Sequence, residues 1–543
     1  MSEYSDLSVL IVDPNPVMRT SLQTMLSQSA ITRIEYAVSA GTAIRQIAKR
    51  DFDIVLCEYD LGSGTGGQDG QQLLEDLRHH KLIGHQTIFI MLTSEGVHGK
   101  VMGAAELTPT DYILKPFTVD VLLQRIGRAV ERRTGFLPIY ALIAQHDVRA
   151  AIRACFDAEA AYPRYGADYA RLRAELHAGI DELAEAEAIY QNVLAARPIG
   201  WAHLGLARCQ FGQQRYDEAQ VTLDQLLLVN PKFMAAYDLL ARTHEALGQN
   251  VLAKKVLEDA VAISPHLVRR LRHLGEVAFE TGDIGMAEKA FKQVVAKAKY
   301  SEFRDPEDHV NLVKTLVKKG DANQASGVLR DLERSLRGNA NTDACRAIAA
   351  ALLQDLSGNA TAAVEELRNA VHAVGVAEGL SSQLKIGLVR SCLKYKLDQD
   401  ASEVMFKLLN DHDENISMEQ AVGVFEKAGR HDLAHSIGEQ VTHQVEELLD
   451  TAAEKLGQGE HRAAVSTLNL ALRKTPRNLT VLYAATDAML RQLDELGWEA
   501  PLGEQAQMLL DRLRRLDTGN DRVELLHQHY TATQRKYGIA TTA

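Results

Sequence analysis

The stretch "DIVLCEYDLGSGTGGQDG" (53–70) joins a short apolar run to a glycine-rich turn, and it decides the class of the first part of the chain. Four comparable runs, rich in β-branched or aromatic residues, occur around it: "SVLIVD" (8–13), "RIEYAVS" (33–39), "TIFIMLT" (87–93) and "DYILKP" (111–116). Amphipathic segments separate these runs. Strands that alternate with helices predict a buried parallel sheet, so we predict an α/β domain with a doubly wound, five-stranded parallel sheet.

The glycines of this turn spell G-x-G-x-x-G at Gly62, Gly64 and Gly67, which raises the question of a nucleotide loop. A dinucleotide fingerprint follows the first strand of its unit, opens a helix directly and has an acid about 20 residues later. Here the glycines follow the third strand, and the predicted helix begins only after Asp69 and Gly70. We therefore predict a strand-to-helix loop in which glycine supplies positive φ angles.

Polar side chains stand at the ends of four of the predicted strands. Asp13 closes the first strand, Glu58 the third, Thr93 the fourth and Lys115 the fifth, with Tyr112 three residues before the lysine. Ligands of parallel α/β sheets bind at the carboxyl ends of the strands. The sequence therefore predicts one pocket at that edge of the sheet, built from these five side chains.

The motifs "VLIVD", "DIVLCEYDLG", "IMLTS" and "DYILKPF", in this order, resemble the receiver domain of two-component response regulators, which is a flavodoxin-like fold. In that family a kinase histidine passes a phosphoryl group to an aspartate after the third strand. Acids after the first strand hold Mg²⁺, and a lysine binds a phosphoryl oxygen. The resemblance places Glu58 at the phospho-acceptor position and makes Thr93, Tyr112 and Lys115 the switch residues.

The sequence departs from the family pattern at two positions. Pro14 stands where the second metal-binding acid is expected, and Glu58 replaces the acceptor aspartate. The extra methylene moves the carboxylate by about 1.5 Å, and misplacements of this size cost large factors in rate. We predict that phosphorylation is lost and that no cofactor is required, with Mg²⁺ at most weakly held by Asp13 and the backbone of Asp60.

Two interpretations of Glu58 remain open at this point. In the first, its longer side chain contacts Lys115 and Thr93 and holds the domain near its activated arrangement. In the second, Glu58 forms only a structural ion pair with Lys115. Neither interpretation requires catalysis.

After Arg133 the strand-like runs stop, and a helical pattern with an internal repeat begins. In "AAYDLLARTHEALGQNVLAKKVLEDAVAISP" (235–265) small and large residues fall in the pattern W-x-x-L-G-x-x-Y…A-x-x-x-F…A…P, and Pro231 and Pro265 lie one period of about 34 residues apart. This resembles a tetratricopeptide array. We predict a receiver-like domain over 1–133, a helical linker over 134–165 and an all-α solenoid over 166–543, clearest at 166–300 and 445–478.

Two further runs draw attention because of their charge. The basic run "VRRLRH" (268–273) lies on a predicted repeat helix, and "HHKLIGH" (79–85) begins in the last turn of the predicted helix "QQLLEDLRHH" (71–80). We predict solvated helix surface for both, with contact to an acidic partner as the alternative for the basic run. The histidines lack the ligand set and spacing of a closed metal site.

The composition narrows the classes of partner. A net charge of −12 argues against general binding to nucleic acid or anionic membrane. No apolar run approaches the roughly 20 residues that span a bilayer, and the N-terminus lacks the basic head of a secretory signal. The five cysteines show no C-x-x-C spacing, as in proteins of a reducing compartment. We expect a cytoplasmic protein.

These observations favour a non-enzymatic adaptor of a bacterial two-component system. The receiver-like domain would dock a histidine kinase or another regulator, and the concave face of the solenoid would bind a protein client. Two alternatives remain: a phosphorylation-dependent regulator with protein-binding output, and a nucleotide or ligand sensor at the strand-end pocket.

Overall fold

A computed structural model of the chain describes residues 6–62, 69–84, 86–94, 109–145, 147–265, 267–298, 304–336, 340–410, 416–517 and 520–538. The chain divides into two compact units, Met1–Lys319 and Gly320–Ala543. The first unit contains the sheet and the first repeats, and the second unit contains further helices.

A five-stranded parallel sheet forms the core of the first domain. Its strands lie in the order β2-β1-β3-β4-β5, so β3 is central. The chain crosses from one half of the sheet to the other after β2, which gives a doubly wound sheet and confirms the predicted fold class. The strands are β1 (Ser8–Val12), β2 (Arg33–Ala37), β3 (Ile54–Glu58), β4 (Ile88–Ser94) and β5 (Asp111–Lys115).

Helices cover both faces of this sheet because successive strand residues point to opposite sides. Val9 and Ile11 pack in one apolar layer, whereas Leu10 and Val12 pack in the other. The first layer includes side chains of α1 and α4, and the second includes side chains of α2 and α3. These helices are α1 (Pro16–Ser27), α2 (Ala40–Ile47), α3 (Gly70–His79) and α4 (Val119–Ala144).

The start of α3 packs closely against the end of β3. A Cβ atom on Gly70 would lie 2.5 Å from the carbonyl oxygen of Glu58, so only glycine fits there. Asp69 caps the helix by accepting a hydrogen bond from the backbone N–H of Gln72. Gly62 has the predicted positive φ, at 93°. Gly64 and Gly67 lie outside the described residues.

Helical pairs make up the rest of the described chain. The helix α4 runs through residue 133, where the sequence suggested a boundary. The helices that follow are α5 (Val148–Ala161), α6 (Gly166–Gly179), α7 (Leu183–Ala196), α8 (Gly200–Gly212), α9 (Tyr216–Val229), α10 (Met234–Ala246), α11 (Asn250–Ile263), α12 (Val268–Glu280), α13 (Ile284–Ala298), α14 (Glu307–Lys319), α15 (Ala322–Ser335), α16 (Ala340–Leu356), α17 (Ala360–Val376), α18 (Ser382–Lys394), α19 (Asp398–Asn410), α20 (Met418–Lys427), α21 (His431–Gly457), α22 (His461–Lys474), α23 (Leu479–Leu496), α24 (Ala500–Leu516) and α25 (Asp521–Lys536).

Small residues let paired helices approach closely, as the repeat pattern predicts. A Cβ atom on Gly205 would lie 2.3 Å from the ring of Tyr190, and one on Gly275 would lie 2.8 Å from the ring of Phe291. Both glycines sit in the first helix of a pair and receive an aromatic side chain from a second helix. The close approach buries the aromatic ring and fixes the angle between the helices.

The first helices of successive pairs lie on the same side of the first unit. Helix α6 contacts α8, α8 contacts α10, and α12 contacts α14. Helices that touch across repeats lie on the shorter, concave side of a curved stack. We call the surface formed by α6, α8, α10, α12 and α14 the inner face.

The basic run on α12 is only partly solvated, so the prediction of a solvated face was wrong for Arg270. Its side chain is buried and makes two hydrogen bonds to Asp238 on α10, from Nε to Oδ1 (2.7 Å) and from Nη2 to Oδ2 (2.8 Å). Arg272 bonds in the same way to the buried carboxylate of Asp308 on α14. We call these two ion pairs the α12 ladder. They tie consecutive first helices together.

Among the described residues, no helix is both long enough and apolar enough to cross a membrane.

Candidate functional site

The register of the sheet brings the predicted pocket residues to one edge. Glu58 is the last residue of β3, the central strand. Asp13 directly follows β1, which pairs with β3 so that Val12 lies opposite Cys57. On the other side, Lys115 ends β5 opposite Ser94 of β4. The carboxyl ends of all these parallel strands therefore surround Glu58.

Lys115 joins the two acidic side chains of the pocket. Its Nζ donates a hydrogen bond to Glu58 Oε2 and lies 3.4 Å from Asp13 Oδ2. Because β4 lies between β5 and β3, only a long side chain spans this distance. The side chains of Lys115, Glu58 and Asp13 are 20%, 15% and 2% exposed, so the cation sits in a largely enclosed site.

The loop after β1 is built as a helix cap. Asp13 Oδ1 accepts a hydrogen bond from the backbone N–H of Asn15 (2.7 Å), and Asn15 Oδ1 in turn accepts one from Val17 N–H (2.9 Å). Arg19 Nη1 donates to the carbonyl oxygens of Asp13 (2.6 Å) and Pro14 (3.0 Å). These bonds hold the loop in one conformation. Pro14 is exposed in this loop, and its ring has no polar group that could bind a metal ion.

The second oxygen of Glu58 also has a donor. Its Oε1 accepts a hydrogen bond from the backbone N–H of Asp60 (3.2 Å). With Lys115 on Oε2, and with Asn15 and Lys115 on the two oxygens of Asp13, each of the four carboxylate oxygens faces a donor within the chain. The pocket thus satisfies its negative charge with one lysine and two backbone N–H groups.

The two remaining predicted residues lie on the neighbouring strands β4 and β5. Thr93 is fully buried, and its hydroxyl donates to the carbonyl of Ser94 (3.4 Å). Tyr112 is half-buried beside the apolar layer of α2 and α3, and burial raises the pKa of its phenol above the usual range. The segment 95–108, which connects β4 to β5, lies outside the described residues.

Sequence reasoning missed two residues that shape the pocket. Asp69 caps α3 beside the end of β3, and burial raises the pKa of its carboxyl to about 6. The spacing of Asp69 and Gln72 before an apolar run is a capping signal that the sequence carries. Arg19 had no such signal, because its two acceptors are backbone carbonyls in the preceding loop.

Within the described ranges, no group of three or more His, Cys, Asp or Glu side chains is arranged to hold a metal ion.

Comparison with known proteins gives matches to both parts of the chain. The model of the response regulator receiver domain matches residues 9–127, and the tetratricopeptide repeat model matches residues 181–243. Chemotaxis protein CheY-3 of Vibrio cholerae is 28% identical over 127 residues, which are 23% of this chain and 94% of that protein. Chemotaxis protein CheY of Pseudomonas aeruginosa is 27% identical over 129 residues, 24% of this chain and 100% of that protein.

Among solved structures, a tetratricopeptide repeat protein from Parabacteroides merdae aligns with 13% identity and a TM-score of 0.32, and the match covers 48% of this chain and 97% of that one. The family matches, the sheet order and the paired helices agree with one another. The chain therefore carries a response regulator receiver domain, followed by a helical region that contains tetratricopeptide repeats.

Proposed function

We propose that the chain is a non-enzymatic signalling adaptor of a bacterial two-component system, with a receiver domain that no longer accepts a phosphoryl group. In this proposal the receiver docks a histidine kinase or another regulator, and the repeats bind a protein partner. The observation that supports it best is the position of Lys115, whose ammonium group lies between the carboxylates of Asp13 and Glu58.

Phosphoryl transfer in a receiver depends on a metal ion and on precise placement of the acceptor. Mg²⁺ requires near-octahedral oxygen ligands at about 2.0–2.1 Å. Asp13 is the only carboxylate of the pattern that remains after β1, because Pro14 has none, and both its oxygens already face donors. These residues do not fit a magnesium site well, because Asp13 and Glu58 alone offer few carboxylate oxygens and each of those oxygens already accepts a hydrogen bond.

The repeat region supports the second half of the proposal. Helical repeats of this kind form extended concave surfaces that bind peptides or helices. Receiver domains and tetratricopeptide repeats both serve signalling and protein interaction. If the receiver does not switch by phosphorylation, the chain would pass on its signal through protein contacts, which both domains can make.

Acetyl phosphate labelling tests the loss of phosphorylation. The wild type, Glu58→Asp, Pro14→Asp and the double variant are incubated with acetyl phosphate and Mg²⁺, and their intact masses are measured. We expect no label on the wild type and little on either single variant. The double variant should label in a Mg²⁺-dependent way, because it restores both the acceptor length and the acid pair.

A matched control is Glu58→Gln combined with Pro14→Asp, which keeps the acid pair but removes the acceptor. Label on this control would come from other residues and is subtracted. Strong labelling of the wild type at Glu58 would contradict the proposal and favour a phosphorylation-dependent regulator. A folded double variant that stays unlabelled would show that positions 14 and 58 are not what blocks the chemistry.

A further inference from the structure

We propose that the inner face of the repeats is a docking surface for an acidic protein segment, and that the receiver domain itself occupies this surface through the C-terminal end of α3. The inference rests on the proposed function in one respect, because it assumes that the repeats bind a partner. It adds the chemistry of that partner and the contact that the partner must displace.

The first observation is a hydrogen bond between the receiver and a distant repeat. Arg269 Nη1 on α12 lies 2.9 Å from Nδ1 of His79, the last residue of α3, although the two residues are 190 positions apart in the sequence. Arginine only donates hydrogen bonds, so Nδ1 of His79 is the acceptor and the imidazole ring in this contact is neutral.

The second observation concerns the neighbouring residue, Arg78. It is half-buried, and burial lowers the pKa of its guanidinium to about 10, with the charge of Arg171 adding to the decrease and that of Glu175 opposing it. Arg171 and Glu175 form an ion pair on α6 (2.8 Å). The end of α3 is therefore close to α6 as well as to α12.

These two contacts define where the end of α3 lies. Helices α6 and α12 are both first helices of their pairs, and α8 and α10 stand between them in the stack. A helix end that lies close to both helices lies against the inner face, because α6 and α12 both belong to that face. The ion pair between Arg132 on α4 and Asp168 on α6 (3.0 Å) holds the receiver beside the first repeat.

The three arginines of α12 have two different roles. Arg270 and Arg272 belong to the α12 ladder and hold the repeats together. Arg269 is exposed, and its contact with the receiver is to a neutral acceptor. A carboxylate would make a stronger, charge-assisted bond to the same guanidinium. An acidic segment therefore has the chemistry to displace α3 from this surface.

Cross-linking in the full chain tests the docked arrangement. His80→Cys with Val268→Cys puts one thiol next in sequence to His79 and the other next to Arg269, and keeps both contact residues. A short bis-maleimide reagent should join this pair efficiently. The matched control is His80→Cys with Val251→Cys, since Val251 is 69% exposed on α11, a second helix. All five native cysteines are buried and free, so they compete little for the reagent.

Efficient joining of the first pair and weak joining of the control would support the docked arrangement. Equal yields for both pairs, or no product from the first, would overturn it. Adding His79→Lys to the first pair puts an ammonium group against Arg269, and we expect a severalfold lower yield. His79→Gln keeps a neutral acceptor and should leave the yield nearly unchanged. Equal cross-linking yields from His79→Lys and His79→Gln would show that His79 does not take part in the contact.

A synthetic oligoglutamate peptide serves as the probe for the partner. It should lower the yield of the first pair severalfold, whereas an oligolysine peptide of the same length should not. No effect of oligoglutamate, or equal effects of both peptides, would overturn the acidic partner. These measurements involve no phosphorylation and no natural partner, so their failure leaves the adaptor proposal standing, and failure of the labelling experiment leaves this inference standing.

Discussion

The strand-end pocket and the α12 ladder both pair cations with carboxylates, but they balance charge differently. In the pocket one lysine serves two carboxylates, Asp13 and Glu58. In the ladder Arg270 and Arg272 each bind one carboxylate through two hydrogen bonds. The pocket therefore completes its charge balance with backbone N–H groups, whereas each pair of the ladder is neutral and lies between packed helices. The ion pairs therefore neutralise the carboxylates of one pocket in the receiver, and they join consecutive helices in the repeats.

The largest expected effect is on the ladder. Arg270→Met removes the partner of Asp238 in a site where the arginine side chain is 1% exposed. Breaking a buried pair costs about 3–5 kcal/mol, and we expect about 3 kcal/mol because Asp238 keeps some access to water. Thermal unfolding followed by circular dichroism measures the loss.

The control is the neighbouring Arg269→Met. Arg269 is exposed, so this change should alter the free energy of unfolding by no more than about 0.5 kcal/mol. Similar losses for the two variants would mean that the ladder does not hold the repeats together.

Lys115→Met should destabilise the receiver less than this. It leaves the carboxylates of Asp13 and Glu58 facing each other without the shared cation. We expect a loss of about 1–2 kcal/mol near neutral pH, because Glu58 keeps some exposure and water screens part of the repulsion. Lys115→Arg keeps the charge and should lose less than half as much. If the methionine variant is as stable as the wild type, the lysine does not organise the pocket.

The close approach of α12 to α13 at Gly275 gives a third test of the packing in the repeats. Gly275→Ala on α12 should cost about 1–2 kcal/mol, because the new methyl group meets the ring of Phe291. The matched control is Gly327→Ala on α15, where nothing lies within 4 Å of the added atom. That change should stabilise the chain by about 0.5–1 kcal/mol through helix propensity. Melting temperatures that move in the same direction would contradict this packing.

The two regions also differ in how far the sequence predicted them. Strand ends of a parallel sheet meet at one edge, so residue order alone brought Asp13, Glu58 and Lys115 together. The ladder depends on which face each repeat buries, and that is decided by packing between repeats. A signal was present, because Arg270 and Asp238 are 32 residues apart and Arg272 and Asp308 are 36 apart, each close to one repeat period.

The contact between His79 of the receiver and Arg269 of α12 was harder to predict from the sequence than the ladder. Nothing in the pattern around His79 or Arg269 indicates that two residues 190 positions apart meet. The basic run looked like solvated surface, and this holds for Arg269 but not for Arg270. Only the stacking of α6 to α12 places the end of α3 beside both helices.

The smallest expected effect is the pH dependence of that contact. Burial lowers the pKa of His79, and the charges of Arg269 and Arg272 lower it further. The undocked ring, with a pKa of about 6.5, takes up a proton more readily than the docked one. Docking is therefore favoured above about pH 6.5 and weakens as the pH falls through that value.

We expect the cross-linking yield of His80→Cys with Val268→Cys to fall by less than about threefold between pH 7.5 and 5.5. The same pair carrying His79→Gln corrects for the effect of pH on the thiol reaction itself. A yield that rises on acidification, relative to this control, would reverse the assigned protonation state.

If Pro14 and Glu58 are what deprive the pocket of a metal site, the wild-type chain should not bind Mg²⁺ between Asp13 and Glu58. Calorimetric titration of the wild-type chain with Mg²⁺ tests it directly. We expect no saturable binding at the pocket up to millimolar Mg²⁺, and measurable binding once Glu58→Asp and Pro14→Asp are combined. Saturable Mg²⁺ binding by the wild type that disappears in Asp13→Asn would contradict it.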